Sequence, residues 1–170
     1  MRCSLASYPF LTLETTMKAR KTVLTVVTLF LGLATCFAEN QNLGTWKLNE
    51  AKSKLSAGLP KNNMVKYEAA GENIKGTIDG VDGMGKPTHN EWTGKFDGKD
   101  YPVTGDPTSD TRAIKQIDDR NFELTVKKGG KVTMTGKAVI SADGKTRTVT
   151  VSGTNAAGKK VQTTAVYDKQ

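Results

Sequence analysis

Gly44-Thr45-Trp46-Lys47-Leu48 stands at the head of a long series of short alternating segments, and its reading decides the fold. Trp46 is a large ring that needs burial, and a glycine beside it lets another backbone pass close. At the start of a run of strands, that pair predicts a sheet that closes over its first strand.

The remainder of the chain has the pattern such a sheet needs. Period-two alternation replaces helical periodicity almost throughout. Strands are predicted at 43–48, 64–70, 74–79, 88–96, 99–103, 111–117, 121–126, 131–140, 146–152 and 160–167. Turn residues separate them: Gly71-Glu72-Asn73, Asp97-Gly98, Asp118-Asp119, Lys128-Gly129-Gly130, Asp143-Gly144 and Ala156-Ala157-Gly158. The long connection, 49–63, contains Ser53, Ser56, Gly58 and Pro60 and opens with a helical turn capped by Asn49. Turns this short make sequence neighbours sheet neighbours, so an up-and-down meander is favoured over a Greek key.

The strands also have faces. One carries Trp46, Leu48, Val65, Tyr67, Ala69, Ile74, Ile78, Phe122, Leu124, Val126, Val132, Met134, Ala138, Ile140, Val149, Val151, Val161, Ala165 and Tyr167. The other is Thr, Lys, Asp and Glu, as Thr146, Thr148, Thr150 and Ser152 show. One-sided burial along every strand predicts an all-β, antiparallel up-and-down barrel of about 8–10 strands. Ala69, Gly76, Gly136, Ala138, Gly153 and Ala165 are small inward residues. They either leave room for a ligand or let a narrow barrel fill itself, and the sequence does not separate the two.

Residues 17–38 read as a signal peptide. Met17-Lys18-Ala19-Arg20-Lys21 is basic, 22–33 is apolar and uncharged, and Ala34-Thr35-Cys36-Phe37-Ala38 suits cleavage after Ala38. The apolar run is short of the roughly 20 residues of a spanning helix, so no transmembrane segment is expected after cleavage. Residues 1–16 are then an extension ahead of a start at Met17, and 39–170 is a single barrel domain. Leu33-Ala34-Thr35-Cys36 also approximates a lipobox, which would anchor the chain through an acylated Cys36, although Thr suits that position poorly. Both cysteines, Cys3 and Cys36, precede the cleavage point, so the processed chain is expected to have neither disulfide nor thiolate chemistry. Export without disulfides points to a bacterial periplasm or exterior.

The formal charge of +8 falls to +5 on processing, because Arg2, Lys18, Arg20 and Lys21 leave together with Glu14. The remaining lysines are dispersed at turns and strand edges, which keeps a sheet protein soluble and argues against a nucleic-acid partner.

With the strands placed, Gly44-Thr45-Trp46 resembles the Gly-x-Trp opening of the lipocalins. The run to Leu48 and the end Ala165-Val166-Tyr167-Asp168-Lys169 resemble the two ends of fatty-acid-binding proteins. Both belong to the calycins, and Gly-Thr-Trp-Lys-Leu-Asn is also similar to secreted bacterial lipocalin-like proteins. The resemblance implies a ligand-binding barrel. In fatty-acid-binding proteins an Arg-x-Tyr pair on the last strand holds the ligand carboxylate; here Ala165 stands at the arginine position, and Tyr167 alone remains. A carboxylate ligand would need another cation, and Arg112 and Arg147 are the candidates. The late arginine of lipocalins implies a further role for Arg147, packing across Trp46 to close the barrel beside Gly44. The segment 49–63 is too short for the family's helical lid, which implies a more open mouth.

No arrangement for catalysis emerges. His89 and Glu91 share the face opposite Asn90 and Trp92, so they are expected in solvent, with no further metal ligands nearby. Asp79-Gly80-Val81-Asp82-Gly83-Met84-Gly85 lacks the spacing of a calcium loop and reads as a hairpin connection. The expectation is a non-enzymatic exported barrel, without cofactor or metal, holding a small apolar molecule. Tyr67, Trp92, Arg112 and Tyr167 are its candidate lining. The alternative is a structural or protein-interaction domain of the cell envelope without a ligand.

Overall fold

The computed structural model describes residues 40–155 and 157–170. The predicted signal at 17–38, the extension at 1–16 and both cysteines lie outside them. Ten strands are present: β1 Gly44–Leu48, β2 Lys61–Ala70, β3 Asn73–Val81, β4 Pro87–Gly94, β5 Tyr101–Thr104, β6 Thr111–Gln116, β7 Asn121–Lys128, β8 Lys131–Ile140, β9 Thr146–Thr154 and β10 Lys160–Lys169. Each pairs antiparallel with its sequence neighbours, and β1 pairs with β10, so the sheet is a closed up-and-down barrel. Closure removes the two edges an open meander would expose. Among the described residues, no helix is long and apolar enough to cross a membrane.

Trp46 closes the seam between first and last strands. It lies opposite Val65 on one side and Lys169 on the other, is out of contact with solvent, and donates its indole N–H to the Asn42 carbonyl at 2.9 Å. Gly44 adopts a left-handed φ of +114°, and a Cβ there would come within 2.9 Å of Lys169 Cε. What passes close is therefore a side chain, not a backbone. It carries the Lys169 ammonium to 5.2 Å from the Trp46 ring centroid. The cation over Trp46 is thus Lys169 rather than Arg147, which β9 turns into the interior.

The Asn49 turn forms as a short 3-10 helix, Glu50–Lys52, capped by the Asn49 side chain accepting from the Lys52 N–H. Asp97-Gly98, expected as a hairpin turn, does something else. Gly98 N–H donates to the Ile114 carbonyl and Gln116 N–H to the Phe96 carbonyl, so 95–100 folds against β6 instead of continuing the ladder. The reason is Phe96. Leaving the strand puts its ring 5.7 Å from Tyr67, 6.1 Å from Trp92 and 5.4 Å from Phe122. The pairs with Tyr67 and Phe122 are edge-on, and such pairs add roughly 0.5–1.5 kcal/mol each beyond area burial.

Two residues expected inside are exposed. Val132 follows a register shift between Val126 and Lys127 that leaves Thr133 as an extra residue and turns Val132 outward. Ala69 sits one residue before the end of β2 and faces solvent.

Candidate ligand cavity

The interior is filled unevenly. On β4, the segment after it and the start of β5, Trp92, Phe96 and Tyr101 stack toward Tyr67 and Phe122. Gly76 and Gly94 make this possible: a Cβ on Gly76 would run into the Trp92 indole, and one on Gly94 into the Tyr101 ring. Across the barrel, β8, β9 and β10 present Ala138, Val149, Val151, Thr163 and Ala165. Small side chains there do not reach the rings opposite, and a cavity of about 100 Å³ remains.

The two meanings of small inward residues therefore both occur. Gly76 is filled by Trp92, and Gly153 by Met134 and Leu59. Ala138 and Ala165 line the cavity. Val65, Ile78, Ile114, Phe122, Leu124, Val126 and Met134 add to the apolar part of its wall.

Of the predicted lining residues, Tyr67, Arg112 and Tyr167 face this cavity, whereas Trp92 does not. Its indole packs against Gly76 among the other rings, buried with its N–H unpartnered. Arg147 joins the wall from β9. Its terminal nitrogen is 3.4 Å from the Tyr67 hydroxyl, and its guanidinium carbon lies 5.2 Å from the Tyr67 ring centroid and 6.0 Å from that of Tyr167. Arg112, from β6, donates to Asn90 Oδ1 at 3.3 Å and lies 3.5 Å from Asp106 Oδ2.

Asn90 and Asp106 are parts of the site that residue types alone did not single out. Asn90 was legible as inward, sharing a face with Trp92. Asp106 sits in the loop 105–110, and nothing local marks it as a partner of Arg112. Its carboxylate is already engaged there, accepting from Thr108 N at 2.8 Å, Thr108 Oγ1 at 2.7 Å and Ser109 Oγ at 3.0 Å.

Burial sets the electrostatics. Desolvation pushes the Arg112 pKa down and the charge of Arg147 adds to this, while Tyr67 and Asp106 act the other way. A guanidinium nonetheless stays charged at physiological pH. Burial likewise pushes the Tyr167 phenol up to about 12, against the pull of Arg147, so it remains a neutral hydroxyl.

The connection between β1 and β2 covers this end of the barrel more fully than its length implied. Lys54 pairs with Thr164, and the Ser56 N–H donates to Thr163 Oγ1 at 3.0 Å. Leu59 is then buried, and Leu55 and Pro60 reach the cavity. Gly58 and Gly83 allow the crossing: a Cβ on Gly83 would sit 2.6 Å from the Gly58 carbonyl oxygen.

His89 lies on the outer face, as its alternation implied. Its Nδ1 is 2.6 Å from Asp79, while Glu91 is held by Lys75 at 2.7 Å and its pKa is lowered chiefly by that hydrogen bond. Among the described residues, no group of three His, Cys, Asp or Glu side chains is placed to hold a metal. Asp82 closes the β3–β4 turn by accepting from Met84 N and Lys86 N at 2.8 and 2.9 Å.

A closed ten-strand up-and-down barrel is consistent with a calycin-like fold. No protein-family model matches the chain. Nor does any curated protein match it in sequence.

Proposed function

We propose that this is an exported, non-catalytic, lipocalin-like protein that takes a small, largely apolar molecule into its barrel. The observation that carries the reading is the interior cavity. Its wall is mostly aliphatic, and a few polar groups converge on it from separate strands, as in small-molecule sites generally. Export rests on the basic, apolar and small-residue order of 17–38. The non-catalytic assignment rests on a processed chain without cysteine, whose single histidine stands on the outer face, paired with Asp79.

Native mass spectrometry of the protein released by its own host tests this reading, and reports the processed N-terminus at the same time. A retained small-molecule mass, displaced by a hydrophobic fluorescent probe, is the expected result. A bare polypeptide mass with no probe binding contradicts it. The second reading, an envelope interaction domain, draws on the outer face of β7 to β10. There Val139 sits among Thr125, Thr135, Thr148 and Thr150 in a shallow depression. Capture of one specific partner, without any probe binding, would favour it.

A further inference from the structure

Within the ligand-binding reading just given, we infer that the molecule taken up is a small carboxylate, its oxygens held between Arg147 and Arg112 and its short apolar end against Ala138, Val149 and Ala165. Arg112 and Arg147 line one cavity from β6 and β9, and both are at least nine-tenths buried. The other charged side chains at this cavity are Asp106, Lys61 and Glu123. Lys61 is paired with Glu50 at 2.8 Å, and Glu123 is exposed on the outer side of β7. That leaves Asp106, whose three short hydrogen bonds tie it to its own loop and whose contact to Arg112 is the longest it makes, at 3.5 Å.

Arg112 thus has a counter-ion in Asp106, whereas Arg147 has no carboxylate within salt-bridge distance among the described residues. A guanidinium carries five N–H donors in a planar fork. Arg147 directs one terminal nitrogen to the Tyr67 hydroxyl at 3.4 Å, and its buried Nε has no hydrogen-bond partner. Uncompensated buried cations are costly, and planar oxyanions are what two such forks fit best. The neutral phenol of Tyr167 adds a donor on the same side as Arg147.

Volume sets the rest of the ligand. A cavity of about 150 Å³ holds benzene, with its six non-hydrogen atoms, so one of about 100 Å³ accommodates roughly four. A long acyl chain exceeds that. Propionate, with five, marks the upper limit of size, and propionamide is its neutral isostere.

The test is a set of titrations of the purified protein with propionate, propionamide, inorganic phosphate and decanoate, followed by calorimetry and by NMR of the arginine side chains. Propionate is expected to bind at least about tenfold more tightly than propionamide, as a charge-assisted hydrogen bond requires. It should shift the Arg147 and Arg112 signals, with phosphate and decanoate both weaker. Arg147→Met and Arg112→Met should each lower propionate affinity about tenfold while the melting transition is retained. If a variant fails to fold, the acid–amide comparison on the wild-type protein decides alone. Equal binding of acid and amide would overturn the charge assignment and leave the ligand-binding reading standing. Tighter phosphate overturns the carboxylate, and tighter decanoate overturns the size limit. No binding of any probe, on a chain that also retains no host ligand, overturns both.

Discussion

The two walls of this barrel are built from the same alternating strands and come to opposite ends. Around β4 the inward positions alternate glycine with large rings, so that Trp92 fills the space over Gly76 and Tyr101 the space over Gly94. On β8 to β10 the inward positions are Ala138, Val149, Val151 and Ala165, and the Tyr67 and Phe122 rings that share their cavity leave the space between unfilled. The first wall is a packed core and supplies stability. The second borders a cavity that Arg112 and Arg147 also line, the proposed ligand site. Small residues alone therefore do not make a pocket; what decides is whether a large partner stands across from them.

Substitution should break that contrast most strongly at the ring wall. Trp92→Ala removes a buried ring that contacts Tyr67, Phe96 and Tyr101, and about 3–5 kcal/mol of stability should go with it. Val149→Ala on the cavity wall, half-buried, should cost about 1 kcal/mol. Urea denaturation of both variants measures the difference. Equal losses would mean the two walls are packed alike.

The next effect is a pH dependence. The Tyr167 phenol has its folded pKa raised to about 12 from an ordinary value near 10. The stability it contributes is thus fully present below pH 10 and is lost as pH rises through 12, because the unfolded chain releases that proton first. The loss over that window should be roughly 2–3 kcal/mol. Tyr167→Phe should remove this part of the alkaline slope, measured as unfolding free energy at pH 9, 10, 11 and 12. A variant with the wild-type slope would place the phenol in water.

Smaller effects separate the two kinds of small residue. Gly76→Ala drives a methyl into the Trp92 indole and should cost about 1–3 kcal/mol. Ala138→Val adds volume on the cavity side, and should cost less than about 1 kcal/mol while abolishing interior binding. Thermal melts with probe titrations report both.

These same residues show how far the sequence could be read. Strand alternation is a local property. The one-sided ladder, the strand count and the antiparallel order were therefore visible in runs such as Thr146 to Thr154, where each outward Thr or Ser is separated by an inward residue. Phe96 was misread because its departure from the strand is rewarded by Tyr67 and Phe122, which are distant in sequence. Val132 was misread because a single extra residue at Thr133 reverses the parity of everything beyond it. Arg147 and Arg112 were recognisable as inward cations. What they meet inside, Tyr67 eighty residues from Arg147 and Asn90 twenty-two from Arg112, depends on closure of the whole barrel. Whether Ala138 borders a cavity or a filled space is likewise a property of the opposite wall. No local pattern encodes it.

The claim that the β8–β10 wall receives a small molecule inside the barrel is tested most directly by NMR of the alanine and valine methyl groups during titration with propionate. The account predicts shifts of the Ala138, Val149 and Ala165 methyls, with little change at Val139 on the outer face and at the Trp92 indole. Shifts confined to Val139 and its threonine neighbours, with the interior methyls unmoved, would contradict it.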